Sequence, residues 1–212
     1  MYCIWKRIMD VVFSAIAILV LFVPMLMIAA AVKMTSKGPV LFWQKRVGKD
    51  RKTFMMPKFR SMYTDAPANV PTHLLDEPDQ WITPVGRFIR RTSLDELPQL
   101  WCVLKSEMSI IGPRPALWNQ EDLIAAREIC GANRIRPGLT GWAQINGRDK
   151  LSVSEKVRLD GAYTAVLNGG GWRAFAMDCR CFFQTICKVL KYEGVAEGGA
   201  GEMNTEKDTA GQ

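Results

Sequence analysis

Histidine is nearly absent: His73 is the single one in 212 residues. The six cysteines, Cys3, Cys102, Cys130, Cys179, Cys181 and Cys187, include no pair at C-x-x-C spacing. Both scarcities argue against a zinc centre, which draws on those two residue types at short spacings. Cys179, Cys181 and Cys187 fall in an apolar helical pattern, where a thiol serves as a small hydrophobe, and all six read as reduced thiols of a cytoplasmic domain. Internal repeats are also missing. Acidic residues are in deficit, 21 against 28 Lys and Arg, for a formal charge of +7 and a pI near 9.2. That balance suits anionic partners: nucleic acid, anionic lipid or phosphorylated substrates.

Apolar residues are unevenly spread. Val11 to Val32 contains no charge, and its roughly 22 residues would reach about 33 Å as a straight helix, enough to span a bilayer. The block is too long for a signal peptide and lacks a small-residue cleavage site before a polar start, so it is expected to stay attached. Pro24 removes a backbone donor and crowds the carbonyl of Val20, which predicts a kink. Lys6 and Arg7 precede the block and Lys33 and Lys37 follow it, so the positive-inside rule puts both ends on one side. A helix that enters, bends and returns satisfies both features; a kinked spanning helix remains open, because membrane helices tolerate proline.

Beyond the block, Val40–Trp43 and Thr53–Met56 read as two strands of a hairpin with a basic loop. Asp65 to Gln80 reads as a loop. Trp81 to Arg91 reads as a helix capped by Thr83 with Pro84 at its first position. Leu97 to Leu104 and Glu121 to Ile129 read as helices, Arg136-Pro137-Gly138 as a turn and Thr140 to Asn146 as extended. Ser154 to Val166 is helical up to the break at Asn168-Gly169-Gly170-Gly171. Arg173 to Tyr192 is amphipathic, with Phe175, Phe182, Phe183, Ile186, Val189 and Leu190 opposite Arg173, Arg180, Lys188 and Lys191. Such a helix suits an anionic membrane surface or the surface of a core. Gly198 to Gln212 has a disordered composition.

Four groups of residues bear chemistry. Ser93 and Glu96 have capping-box spacing, yet Pro98 argues for a helix that starts near itself, leaving Asp95 and Glu96 just before its N-terminus. Adjacent carboxylates repel unless a cation attends them; Mg²⁺ takes one or two carboxylates plus phosphates, and an aspartate can serve as a nucleophile at phosphorus. Gly112-Pro113-Arg114-Pro115 frames a guanidinium stiffly, in a form matched to phosphate oxygens or to a structural turn. Lys58, Arg60, Arg87, Arg90 and Arg91 are either solvated charges or, with Arg114, the means of neutralising a diphosphate. Asn146-Gly147-Arg148 is a polar loop suited to reading a nucleotide or sugar.

Together these stretches resemble the bacterial sugar transferase family, the small monotopic phosphoglycosyl transferases. The resemblance lies in KRIMDVVFSAIAILVLFVPMLMIAA, GPVLFWQKRVG, KFRSM, Thr83 to Gly86, SLDELPQL, GPRPAL, RPGLTGWAQINGR and EKVRLDGAY, in the family's order. It implies an α/β fold, mostly helical with a small β-hairpin. Residues 1–35 would form a re-entrant membrane helix, 36–195 a cytoplasmic catalytic domain with interfacial amphipathic helices, and 196–212 a disordered tail. It further implies a location on the cytoplasmic face of the bacterial inner membrane among phospholipids, no nucleic-acid partner, and leaves a homodimer open.

The implied reaction moves a sugar phosphate from a UDP-sugar to undecaprenyl or another polyprenyl phosphate and releases UMP. Asp95 matches the nucleophile and Glu96 its partner carboxylate, the two serving as ligands of Mg²⁺. Lys58, Arg60, Arg90 and Arg114 match phosphate-binding positions; Asn146, Arg148 and Asp160 fall to the substrate, and Glu107 is a further acidic position. Val23 stands where Ser often precedes the kinking proline, Ser106-Glu107 where Gly-Asp is frequent, and Cys102 where Asn is frequent. Two other readings compete: a membrane-associated glycosyltransferase that releases UDP, and a non-enzymatic basic membrane adaptor.

Overall fold

A computed structural model describes residues 2–67 and 77–191. The expectations placed on His73 and on the tail from 196 lie outside the described residues. Helix α1 runs from Tyr2 to Thr35, and Pro24 lies inside it without ending it. Its most apolar stretch has a mean hydropathy of 2.9 with 6% of it buried, so the helix is long and apolar enough to cross a membrane and is not the core helix of a water-soluble body. The side chains it does bury are Asp10, Ser14 and Val32.

The hairpin forms from β1 (Leu41–Val47) and β2 (Thr53–Phe59), each longer than expected, paired antiparallel with Trp43 opposite Pro57. Pro57 interrupts no ladder beyond its own, because the hairpin is a two-stranded sheet and proline is tolerated on an edge. Helix α2 (Pro84–Arg91) starts as anticipated: the Thr83 hydroxyl accepts from the Gly86 N–H, with Pro84 in the first turn. A 3₁₀ segment, Leu94–Gln99, then leads into α3 (Leu100–Leu104). Ser93 makes no side-chain cap there and holds a left-handed φ of 56°, so the Ser93–Glu96 spacing is not a capping box. The carboxylates lie in the first turn of this segment rather than before a helix at Pro98. A capping box does form at Ser152 and Glu155.

Strand β3 (Ser109–Ile111) pairs in parallel with β4 (Gly138–Thr140), a second small sheet that the Arg136-Pro137-Gly138 turn signal concealed. Helix α4 spans Glu121–Ile129, as the periodicity predicts. Thr140 to Asn146 is extended only to Thr140; α5 (Trp142–Ile145) follows. A run this short does not separate strand from helix by its period, and here tertiary contact decides. Gly138 and Gly141 each approach Gly112 so closely that a Cβ on either would overlap its main-chain atoms, and one on Gly112 would overlap those of Arg136 and Gly138.

Helices α6 (Val153–Gly169) and α7 (Gly171–Leu190) meet at Gly170, whose φ is 65°. On α7 the residues turned inward are Ala174, Asp178 and Cys181, while Trp172 is 77% and Phe183 61% exposed. The helix thus packs on the core through this narrow side, as one of the two expectations had it, while its bulky apolar side chains lie outside the core.

Both ends of α1 contact the same body. Tyr2 and Lys6 donate to the Asp178 carboxylate at 2.6 and 2.9 Å. Arg7 donates to the carbonyls of Val103 and Leu104. Asp10 accepts from the Ser109 hydroxyl at 2.7 Å and the Ile110 N–H at 3.1 Å. Near the other end Val32 packs with Phe59 and Ile89.

The glycine crossing yields a paired prediction. Gly138→Ala puts a methyl into the Gly112 backbone, which cannot swing aside, and should cost about 3 kcal/mol or more. Gly169→Ala meets nothing within 4 Å and should raise stability by up to about 1 kcal/mol through helix propensity. Thermal unfolding in detergent reads both; equal melting temperatures would contradict the close approach.

Candidate active site

The site is assembled from parts of the chain far apart in sequence. Lys58 comes from β2, and Asp95 and Glu96 from the 3₁₀ segment packed on that strand. Arg114 comes from the loop after β3, and Arg148 follows α5. Glu96 is the hub. Its Oε1 accepts from Lys58 Nζ at 3.1 Å and from Arg114 Nη2 at 2.6 Å, and its Oε2 from Arg114 Nη1 at 3.4 Å. A carboxylate this buried is tolerable because two cations satisfy it.

The Arg114 mount is held from behind. Arg127 Nη1 donates to the Arg114 carbonyl at 2.9 Å, and Arg46 Nη1 to that of Pro115 at 2.9 Å. Arg127 is fixed in turn by Asp160, whose Oδ2 accepts from its Nη2 at 2.6 Å and its Nε at 2.9 Å. On the other flank Gly147, at φ +148°, turns the chain where any side chain would strike Leu151, and Arg148 follows at φ 53°.

The two adjacent carboxylates are driven apart electrostatically. Burial would raise Glu96, but Arg114 and Lys58 outweigh it and hold the group well below the usual range. Asp95 is raised to about 6, chiefly by burial and then by the charge of Glu96, while Lys58, Arg90 and Arg114 pull the other way. Among the described residues the ion pairs at this centre go to Glu96 and none to Asp95. One carboxylate is thus a locked anion and its neighbour an unclamped one, which is how a site separates the roles of two like groups.

Two cavities meet here. One, of about 410 Å³, is lined by Asp95, Glu96 and eight Lys or Arg side chains, among them Lys58, Arg60 and Arg90. The other, an apolar groove of about 1140 Å³, runs between α1 and α7. Glu96, Arg114, Gln144 and Arg148 line both.

The structure thus brings Lys58, Arg90, Asp95, Glu96, Arg114 and Arg148 together. Arg60 shares the cavity wall, with its guanidinium bonded to the carbonyl and hydroxyl of Ser36 at 2.8 and 2.7 Å. Asp160 lies behind the wall on Arg127. Asn146 is exposed and donates to the Trp142 carbonyl, and it lines neither cavity. Glu107 pairs with Lys105 at 3.2 Å, and Arg87 is exposed. The sequence reading missed Arg127 and Gln144. For Arg127 a signal existed: it falls three and four residues after Ile124 and Leu123, on the buried stripe of α4, where a cation needs a partner. Gln144 gave none beyond being polar between Ala143 and Ile145.

No group of three His, Cys, Asp or Glu converges among the described residues. The chain therefore offers Mg²⁺ two neighbouring carboxylates, one already engaged by cations. That donor set fits an ion that arrives with phosphate oxygens, the usual manner of Mg²⁺.

The raised Asp95 makes stability depend on pH. Its folded pKa, about 6, exceeds the ordinary 3.8, so the folded state holds this proton more tightly. The contribution favours folding below the unfolded value and is lost as pH rises through about 6. The loss is on the order of 3 kcal/mol. Asp95→Asn should therefore be more stable than the parent above about pH 6, with the gap narrowing toward pH 4. Melting curves in detergent with a chelator test this; a gap independent of pH would contradict it.

A family model described as bacterial sugar transferase matches residues 1–192. The undecaprenyl-phosphate glucose phosphotransferase of Komagataeibacter xylinus is 44% identical over 195 residues, covering 87% of this chain and 36% of that protein. The uncharacterized sugar transferase EpsL of Bacillus subtilis is 37% identical over 194 residues, covering 92% and 91%. The UDP-glucose:undecaprenyl-phosphate glucose-1-phosphate transferase of Escherichia coli is 42% identical over 155 residues, covering 72% and 33%. This chain thus spans about a third of two of these relatives and nearly all of the third. With the match running through α1, the Asp95-Glu96 segment and the Arg114 loop alike, the chain belongs to the bacterial sugar transferase family.

Proposed function

We propose that this chain transfers a sugar phosphate from a UDP-sugar to a polyprenyl phosphate and releases UMP. The observation that carries the reading is the Lys58–Glu96–Arg114 clamp beside the unclamped Asp95, at the junction of a cationic cavity and an apolar groove. The cavity has the charge for a nucleoside diphosphate. The groove suits an isoprenoid chain and leads from α1 and α7 to the same centre. Relatives named as undecaprenyl-phosphate glucose phosphotransferases support this pairing of substrates.

The reaction has two displacements at one phosphorus. An Asp95 oxygen attacks the sugar-bearing phosphorus, and the bond from that phosphorus to the bridging oxygen breaks. UMP departs with the oxygen and the electron pair. An oxygen of the polyprenyl phosphate then attacks the same phosphorus and Asp95 is released, giving a polyprenyl diphosphate sugar. A raised pKa leaves Asp95 ionised at neutral pH yet less stabilised than Glu96, which favours it as the nucleophile. Lys58, Arg90, Arg114 and Arg148 neutralise phosphate oxygens. Mg²⁺ held by Asp95, Glu96 and the phosphates would supply further charge neutralisation.

The membrane geometry follows from α1. Lys6, Arg7 and Asp10 at one end and Val32 at the other contact one body, which supports a helix that enters and leaves the bilayer on one side, the cytoplasmic face. The exposed aromatic side of α7 then lies at the interface.

Two experiments test the reading. Incubation with undecaprenyl phosphate and a panel of UDP-sugars should release UMP, and Asp95→Asn should lower turnover by about 10⁴-fold or more, as loss of a covalent nucleophile does, and abolish the phosphosugar adduct. Release of UDP alone would reject the mechanism. In spheroplasts, an impermeant maleimide should leave both Cys3 and an engineered Lys37→Cys unlabelled until the membrane is opened, with the other cysteines replaced. Labelling of one before opening would establish a spanning helix.

A further inference from the structure

We propose that Arg91 holds the phosphate of the polyprenyl acceptor, while Arg90, its neighbour in the chain, serves the donor. The inference rests on the transferase reading above and assigns a residue that this reading leaves out.

The two arginines close α2. Successive residues of a helix point about 100° apart, so the pair divides between two sides. Arg90 lines the cationic cavity and not the groove, and its Nη1 donates to the Ser61 hydroxyl on that cavity's wall at 3.4 Å. Arg91 lines the groove and not the cavity, and it is exposed, so a ligand can reach it. The mount is firm. Ile89, just before the pair, is 1% exposed and packs with Val32 and Phe59. The Ser93 N–H donates to the Arg90 carbonyl at 3.0 Å and closes the turn that leads to Asp95.

The groove has use for such a cation. Its wall is mostly apolar, and the Lys and Arg residues on it are Lys6, Arg91, Arg114, Arg148 and Lys188. Lys6 is bonded to Asp178 at 2.9 Å and Arg114 to Glu96 at 2.6 Å. Arg114 and Arg148 line the cavity as well. Arg91 stands four residues before Asp95, whereas Lys188 lies in the last turn of α7. A phosphate that enters an apolar groove loses water and needs a cation, and a guanidinium meets its oxygens with two parallel N–H donors. The second displacement brings this anion against the phosphoryl group on Asp95. A cation on the groove side offsets their repulsion without drawing on those that hold the donor.

The test uses the full chain in detergent. Native mass spectrometry measures binding of undecaprenyl phosphate, of undecaprenol, which lacks the phosphate, and of phosphatidylglycerol. UMP release and the phosphosugar adduct are followed with a panel of UDP-sugars and no acceptor. Arg91→Gln should weaken undecaprenyl phosphate by roughly 10- to 100-fold, while binding of undecaprenol and formation of the adduct change less than about twofold. Arg91→Lys should recover most of the loss. Arg90→Gln should do the reverse, slowing the adduct and sparing the acceptor. Should glutamine disturb the end of α2, visible as a lowered melting temperature, the ratio of undecaprenyl phosphate to undecaprenol bound in one sample decides, since misfolding lowers both. Equal losses for those two lipids would overturn the assignment. So would an equal loss for phosphatidylglycerol, which would make Arg91 a reader of bulk headgroups, or a loss in Lys188→Gln without one in Arg91→Gln. Absence of UMP release from every donor would instead defeat the transferase reading, with the lipid ratio still deciding the role of Arg91.

Discussion

A buried carboxylate bridging two cations is the interaction on which the site depends. Glu96 joins Lys58 of the hairpin to Arg114 of the loop after β3, two parts of the fold that otherwise meet through the bridge of Arg46 to Leu117. Removing either cation would leave a buried charge half satisfied, which is more costly than never having had it. The same arrangement sets the state of Asp95. Because Glu96 takes both ion pairs, its neighbour keeps the electrostatic penalty of burial. The segment thus stores unfavourable free energy at one oxygen pair, in the manner of sites where function opposes stability.

Behind the clamp stands a second layer that orders it. Arg127 holds a backbone carbonyl of the Arg114 loop, and Asp160 holds Arg127. Asp160 therefore acts through two intermediaries, at a remove from any substrate in the cavity. Nη2 of Arg60 likewise bonds Ser36 at the exit of α1, so that one residue ties α1 to the wall of the cavity. Residues that a family pattern groups together thus divide by depth, some facing the cavity and others steadying those that do.

Much of this was legible in the sequence, for physical reasons that differ from place to place. The long charge-free block, the Thr83-Pro84 helix start and the α4 periodicity each follow from local rules, and each was found where expected. The hairpin was found but drawn short, because Lys45, Arg46 and Lys58 read as loop charges although the pleat accommodates them on alternate faces. The β3–β4 pair and α5 were not legible. Both depend on three glycines meeting across the chain, and no local pattern announces a meeting. The site was legible in its charged members, whose types declare their chemistry. It was not legible in Gln144, whose place in the wall of both cavities is a property of the folded state alone.

The placement of Asp10 bears on which face of α1 is turned outward. Asp10 lies a few residues inside α1, bonded to Ser109 and Ile110 of the body, and Lys6 and Arg7 are likewise committed. Were α1 to leave the body, an acidic group near its start would lose both of its partners. Docked, both of its oxygens accept hydrogen bonds from the body, which keys α1 to it at one rotation about the helix axis. The face that α1 turns outward is thereby set by the body and not by the helix alone.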